Sequence, residues 1–300
     1  MKTISLVLGS GGARGLAHIG VIRWLEQQGY EIRSISGCSV GALVGGIYAA
    51  GKLDEFEQWT RTIRRKDILS MLDIAWSRSG LVKGERMVNT LSGYIGDHSI
   101  EDLPIAFTAV AVDLNKGKEI WLNKGDLLSA IRASSSIPLL FTPTERAGTL
   151  VVDGGVLNPV PITPTFGDDT DMTIAVNLDA DIPFTPQKVP QIRSIEQKEE
   201  LEKTSQFRKR LAAFNTKVFD SIFRENGNKD SFFSVAMQSF ETMQSTIARH
   251  KIAAYPPDHL IEISRHASKT LELDRADELI QLGYDSAAKQ LSKLKQKPKL

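Results

Sequence analysis

A serine between two glycines is the first candidate for chemistry in this sequence. Ser39 lies in SGCSVGALVGG, residues 36–46, with Gly37 two residues before it and Gly41 two residues after it. A serine on a sharp turn between a strand and a helix can act as a nucleophile, and flanking glycines leave room for that turn. The same letters also fit a serine that caps a helix in a Gly/Ser-rich turn. The motif alone leaves both interpretations open.

A glycine-rich loop supplies a second candidate part. The stretch LGSGGARG, residues 8–15, lies between an apolar run and a helical pattern. It lacks the lysine of a phosphate-binding P-loop, and Arg14 stands where the dinucleotide fingerprint needs its last glycine. Consecutive glycine N–H groups can instead form an oxyanion hole for acyl transfer. We expect Gly11 and Gly12 to donate, with Ala13 as a third candidate, and Arg14 either to brace the loop or to form a surface ion pair.

A carboxylate supplies a candidate base. Asp153 lies in TLVVDGG, residues 149–155, and is followed by Gly154 and Gly155. An aspartate held at the end of a buried strand can accept the proton of Ser39. An Asx turn that closes the strand is the alternative. None of the five histidines lies in a glycine-flanked loop after a strand, so a serine–aspartate dyad fits the sequence better than a Ser-His-Asp triad.

Apolar patterns predict the elements that position these residues. Strands are predicted at 4–8, 31–35, 105–113, 119–122, 150–152, 172–178 and 260–263. Helices are predicted at 16–28, 40–50, 54–64, 84–91, 126–133 and 275–294, and a mostly helical stretch at 192–254. The order at the start of the chain is typical of a parallel α/β sheet. We expect one domain over residues 1–300, with a motif-bearing core at about 4–180 and a helical, closing C-terminal part at about 191–294.

Composition excludes several classes of protein. The 300 residues are 41% hydrophobic and 24% charged, as in globular proteins. The net charge of +1 gives no overall field that would attract nucleic acid. Cys38 is the only cysteine, which rules out an internal disulfide and a four-cysteine zinc site. With no signal-peptide core and no membrane-spanning run, we expect a cytoplasmic protein that can contact the inner membrane surface peripherally.

Four motifs, in this order, resemble the patatin-like phospholipase family, in particular its small bacterial members related to neuropathy target esterase. They are GSGGARGLAHIGV, GCSVGALVGG, AIRASSSIPLLFTP and VVDGGVLNPVP. The resemblance implies a three-layer α/β/α sandwich around a mostly parallel sheet, with Ser39 and Asp153 as the dyad and the glycine loop as the oxyanion hole. The family loop usually reads G-x-G-x-x-G. Here Ser10 stands at its first position, while Gly12 and Gly15 are in place.

The expected function is that of a serine acyl hydrolase. It would cleave fatty-acyl esters of phospholipids or lysophospholipids, with no metal and no cofactor, and no protein partner is indicated. Two other functions stay open. One is a regulatory or adaptor protein that binds lipid or a partner on this fold with little turnover. The other is an acyltransferase or thioesterase, which would need a histidine partner for which the sequence has no motif.

Two further segments have more than one interpretation. Residues 134–136 are three serines, which we expect to pack beside the active site as polar capping residues. Residues 207–223 form a basic amphipathic pattern. Such a pattern is typical of a lid or a lipid-surface contact, and equally of a helix that packs its apolar face on the body of the protein.

Overall fold

The centre of the protein is a mixed β-sheet, seen in a computed structural model that describes residues 1–64, 67, 83–184 and 232–292. The strands of this sheet are β1 (Lys2–Leu8), β2 (Tyr30–Cys38), β3 (Ala106–Asp113), β4 (Lys118–Leu122), β5 (Thr144–Arg146), β6 (Thr149–Asp153), β7 (Met172–Ala180) and β8 (His259–Ser264). Their order is β5-β6-β3-β2-β1-β7-β8, and β4 pairs with β3 beside this path. Strands β3, β2, β1, β7 and β8 run parallel, whereas β4, β5 and β6 pair antiparallel.

Helices cover both faces of the sheet. They are α1 (Ala17–Gln27), α2 (Val40–Ala49), α3 (Leu53–Thr62), α4 (Glu85–Ile95), α5 (Leu127–Ser134), α6 (Phe232–Ala254) and α7 (Ala276–Leu291). Successive strand residues point to opposite faces. On β1, Leu6 and Leu8 therefore join the core formed with α1, α2 and α7, whereas Val7 packs on the other face in a cluster with Ala248 of α6. None of the helices in the described ranges has both the length and the apolar content that a bilayer-spanning segment needs.

The predicted fold class is confirmed: a mostly parallel sheet lies between helices, and most predicted elements appear in the predicted order. Two strand predictions need correction. Strand β2 continues to Cys38 instead of ending at residue 35, and β5 was missed. The hairpin that joins β5 to β6 turns through Ala147, at φ 48°, and Gly148, and an alanine is an unusual residue at positive φ. The predicted helix at 207–223 lies outside the described residues.

The strand register sets the distance between the two candidate catalytic residues. Cys38, the last residue of β2, pairs with Val110 of β3. Asp153, the last residue of β6, pairs with Ala111, the next residue of β3. Because β2 and β6 approach β3 from opposite directions and end at neighbouring residues, the chain brings Ser39 next to Asp153 across 114 positions of sequence.

Helices α1 and α7 meet at two glycines. A Cβ atom on Gly20 would overlap the carbonyl oxygen of Ile280, and a Cβ atom on Gly283 would overlap the carbonyl oxygen of Ala17. Helix α1 begins just after the glycine-rich loop. The close packing of its first residue, Ala17, on Gly283 therefore also fixes the position of the loop.

We expect Gly283→Ala to lower the free energy of unfolding by about 1–3 kcal/mol, because the added methyl group is forced against backbone. The matched control is Gly93→Ala in α4, where a Cβ atom meets no neighbour and alanine favours the helix by about 1 kcal/mol. Urea denaturation of both variants measures the difference. Equal stability of the two variants would contradict the close packing of α1 on α7.

Candidate active site

Ser39 occupies the turn between β2 and α2 in a strained conformation. Its backbone has φ 56° and ψ −123°, a region that costs residues other than glycine on the order of 1–3 kcal/mol. Its side chain is almost entirely buried, with 2% of the residue exposed. Helix α2 begins at the next residue, Val40, so the positive end of the helix dipole faces the serine. This is the geometry of a serine nucleophile on a strand-to-helix turn.

The end of α5 holds this turn in place. The N–H of Ser39 donates to the hydroxyl of Ser134 at 2.9 Å, and that hydroxyl donates to the carbonyl of Val110 at 2.6 Å. The hydroxyl of Ser135 donates to the carbonyl of Ser39 at 3.3 Å. The sequence predicted these serines to be packing and capping residues beside the active site. Their hydrogen bonds give them a more specific role, because they fix both backbone polar groups of the strained residue.

Asp153 is fully buried beside the serine. Its Oδ1 accepts the N–H of Gly155 at 2.7 Å and lies 3.7 Å from the thiol sulfur of Cys38. Burial raises the pKa of Asp153 to about 6, and interaction with the Ser39 side chain opposes that rise. The second oxygen, Oδ2, has no partner at full hydrogen-bond geometry among the described residues. The serine hydroxyl is therefore close to the carboxylate without a tight hydrogen bond.

Cys38 contacts Asp153 and keeps its proton. Burial raises the pKa of its thiol well above the ordinary value, and the charge of Asp153 raises it further. The sulfur therefore keeps its proton and offers it to Asp153 as a weak hydrogen bond. Cys38 entered the sequence analysis only as the single cysteine of the chain. Its contact with Asp153 follows from the register of β2, β3 and β6.

Two N–H groups of the glycine-rich loop have no acceptor among the residues that the structure describes. The loop packs on the start of α2, since a Cβ atom on Gly15 would overlap the side chain of Val40. The N–H groups of Gly11 and Gly12 donate to no other residue in the described part of the chain. The N–H of Ala13 donates to the carbonyl of Thr270 at 2.8 Å. Gly11 and Gly12 thus remain candidate oxyanion donors, whereas Ala13, which the sequence offered as a third, is already engaged.

Arg14 and His18 hold the loop from behind. Arg14 is buried; its Nε donates to the carbonyl of Gly11 at 3.1 Å, and its guanidinium lies 3.5 Å from Asp179. Arg14 thus contacts the loop as the bracing interpretation expects, and its ion pair with Asp179 is buried and not on the surface. His18 contacts the carbonyl of Gly9 through Nε2 at 2.9 Å. Burial lowers the pKa of His18 to about 4, so the ring is neutral and Nε2 donates.

The remaining glycines of the motifs lie where the chain leaves no space for a side chain. A Cβ atom on Gly41 would overlap the carbonyl oxygen of Leu8, so the start of α2 packs directly on the end of β1. An added Cβ atom would also meet close neighbours at Gly37, Gly154 and Gly155. These contacts set the spacing between the turn at Ser39, the glycine-rich loop and the turn that follows Asp153.

The five histidines take no part in the hydrogen bonds of Ser39 and Asp153. All five lie in the described ranges, and none forms a hydrogen bond or an ion pair with Ser39 or Asp153. The described residues also contain no group of three or more His, Cys, Asp or Glu side chains placed to hold a metal ion. The arrangement is a serine next to a carboxylate whose proton affinity is raised, with two free backbone donors nearby. Such an arrangement can carry out acyl transfer.

Known proteins share the sequence around this site. The family model described as patatin-like phospholipase matches residues 6–166. An NTE family protein of Mycobacterium tuberculosis (strain ATCC 25618 / H37Rv) is 37% identical over 327 residues, which cover 96% of this chain and 91% of the relative. The yeast Saccharomyces cerevisiae has a lysophospholipase that is 30% identical over 195 residues, covering 62% of this chain and 11% of that protein. A neuropathy target esterase of Drosophila willistoni is 32% identical over 167 residues, covering 53% of this chain and 11% of that protein.

The raised pKa of Asp153 predicts how stability depends on pH. An unfolded aspartate ionises at about pH 4, whereas the folded protein resists ionisation up to about pH 6. The stabilising contribution of the protonated form is complete below pH 4 and is lost as the pH rises through 6. Asp153→Asn cannot ionise. We therefore expect the free energy of unfolding of this variant, relative to wild type, to improve by about 2 kcal/mol between pH 4 and pH 7.5.

Urea denaturation at four pH values between 4 and 7.5 measures this change. The exposed Asp169 supplies the control, because Asp169→Asn removes a carboxylate of the same chemistry that lies in water. The argument would be refuted by a difference between Asp153→Asn and wild type that stays constant over this range.

Proposed function

This chain belongs to the patatin-like phospholipase family and is a lipid acyl hydrolase at that level, and we propose that it cleaves fatty-acyl esters of phospholipids or lysophospholipids through a Ser39–Asp153 dyad. One observation carries the proposal. A serine at φ 56° adjoins a fully buried carboxylate whose pKa is raised to about 6. A residue that gains basicity by burial, next to a strained hydroxyl, is suited to nucleophilic catalysis.

In the first step, Ser39 Oγ attacks the ester carbonyl carbon while Asp153 accepts the hydroxyl proton. A carboxylate with a pKa of about 6 remains ionised at neutral pH and holds the proton more firmly than an exposed aspartate would. The attack turns the carbonyl oxygen into an oxyanion. The unused N–H groups of Gly11 and Gly12 are the candidate donors to it, and the N-terminus of α2 adds a favourable dipole.

The second half of the reaction uses the same residues. When the tetrahedral intermediate collapses, the proton on Asp153 passes to the leaving alcohol oxygen, and the acyl group stays on Ser39. Asp153, ionised again, then takes a proton from a water molecule that attacks the acyl-enzyme. Collapse of this second intermediate releases the fatty acid, and the proton returns to Ser39 Oγ. Each proton is therefore exchanged through one carboxylate, with no histidine relay.

Two lines of support favour a lipid ester as the substrate. The family model is that of a phospholipase, and one relative is named as a lysophospholipase. We extend the proposal to the site of action, which is the cytoplasm, with peripheral contact at the inner membrane surface where such lipids are presented. A single thiol that is buried and unpaired is usual in a reducing compartment.

A fluorophosphonate probe tests the nucleophile, since it labels an activated serine without assuming a substrate. We expect labelling of the peptide that contains Ser39. Ser39→Ala should lose the label and at least about 10³-fold in ester turnover, because no other group can form the acyl-enzyme. The control is Ser129→Ala on the exposed side of α5, which should behave as wild type. If wild-type protein takes up no label and releases no fatty acid from lysophospholipid, the adaptor interpretation replaces this one.

Asp153→Asn tests the base. This variant keeps the size of the side chain but cannot accept a proton, so we expect nearly complete loss of hydrolysis. For wild type, kcat/KM should fall as the pH drops through about 6, where Asp153 becomes protonated. Alanine variants of the five histidines, assayed beside it, are the matched comparison. A folded histidine variant as inactive as Ser39→Ala would establish a triad instead of a dyad.

A further inference from the structure

Two segments beyond the family match at residues 6–166 reach the glycine-rich loop. One is the connection between β8 and α7, residues 265–275, and the other is helix α6. Thr270 in the connection accepts the N–H of Ala13 through its carbonyl oxygen at 2.8 Å. Ala13 follows directly after Gly11 and Gly12, whose N–H groups are the candidate oxyanion donors. This hydrogen bond therefore fixes the backbone one residue away from those donors.

Gly12 also packs directly on Thr270. Gly12 adopts φ +57°, and a Cβ atom built on it would lie 2.6 Å from the carbonyl oxygen of Thr270 and 2.7 Å from its Cγ2. The backbone of Gly12 is thus in direct contact with Thr270. A displacement of Thr270 therefore moves the peptide unit of Gly12.

Glu241 on α6 holds Thr270 from the far side. The hydroxyl of Thr270 donates to Oε1 of Glu241 at 2.7 Å, and both residues are partly buried. Glu241 also acts on Arg14: burial lowers the pKa of that guanidinium, and the charges of Asp179 and Glu241 oppose the effect. Because Arg14 donates to the carbonyl of Gly11, Glu241 acts on neighbouring residues of the loop in two ways, through Thr270 and through Arg14.

We propose that Thr270 and Glu241 are positioning residues that hold the N–H groups of Gly11 and Gly12 in the geometry needed to stabilise the oxyanion. We call this pair the Thr270–Glu241 strut. The inference rests on the proposed function, since it assigns a role within the same reaction. Its physical basis is that oxyanion donors stabilise charge only if they are oriented beforehand, and consecutive glycines do not orient themselves.

This role predicts which kinetic constant changes. The oxyanion exists in the transition state and not in the bound ester, so a poorly oriented donor lowers kcat while KM stays nearly constant. A general loss of folding would instead lower the number of active sites. Titration of active sites with a fluorophosphonate separates the two effects, because kcat is then expressed per reactive Ser39.

The test compares Thr270→Val with Thr270→Ser in the full chain, using a nitrophenyl ester of a medium-chain fatty acid. Removing an oxyanion donor costs about 10²–10³ in turnover, so loss of its support should cost less. We expect Thr270→Val, which lacks the hydroxyl, to lower kcat per active site about tenfold, with KM within about twofold. Thr270→Ser keeps the hydroxyl and should stay near wild type. Thr242→Val is the matched control, since Thr242 lies exposed on the same helix as Glu241 and donates only to Gln238.

A second pair of variants tests the strut from the other side. Glu241→Ala should lower kcat as Thr270→Val does. Glu241→Gln should fall between Glu241→Ala and wild type, because its amide oxygen still accepts the hydroxyl of Thr270 but no longer faces Arg14 with a charge. These variants give the result even if Thr270→Val does not fold.

Two results would overturn the strut. One is a kcat per active site within twofold of wild type for both Thr270→Val and Glu241→Ala. The other is an equal loss in Thr270→Ser or in Thr242→Val. Failure of the proposed function looks different, because wild-type protein would then show neither labelling nor hydrolysis.

Discussion

The carboxylate of Asp153 is removed from water completely, and the rest of the site follows from this burial. Its hydrogen bonds come from one backbone N–H and one thiol, which leaves one oxygen without a full partner. Burial with so few hydrogen bonds raises the proton affinity of the carboxylate to the range that a base needs at neutral pH. It also makes the folded protein less stable when the carboxylate is ionised. The protein thus carries a destabilising residue where the chemistry requires one.

The strain at Ser39 persists because neighbouring elements fix the residue from several directions. The chain at the end of α5 contacts both Ser39 and Asp153, since Ser134 and Ser135 bond to the backbone of Ser39 while the carbonyl of Ser136 accepts the N–H of Asp153 at 3.0 Å. One turn of chain therefore sets the distance between these two residues. Strand β3 sets it a second time, because β2 and β6 both end on it at adjacent residues.

The glycine-rich loop depends on residues from the whole length of the chain. Within the family match at residues 6–166, Arg14 and His18 bind its carbonyl groups. Beyond that match, Asp179 pairs with Arg14 and Thr270 accepts from Ala13. Gly11 and Gly12 have no side chains of their own, so Arg14 and packing partners from other parts of the chain must hold their N–H groups. Glu241 in α6 and Thr270 in the connection after β8 are therefore part of the surroundings of this site, as the motif residues are.

Local sequence patterns specify those parts of the protein whose geometry depends on residues close together in the chain. These parts are the turn formed by Gly37, Ser39 and Gly41, the glycine loop and the Asp153-Gly-Gly turn, and strand and helix periods predict the fold class. Long-range packing, in contrast, occupies the N–H of Ala13, which donates to Thr270, and leaves those of Gly11 and Gly12 without an acceptor among the described residues. Long-range packing also brings Ser134 to the backbone of Ser39, Cys38 to Asp153 and Glu241 to Thr270. These contacts join residues far apart in sequence, and only the register of the sheet and the packing of its helices set such distances.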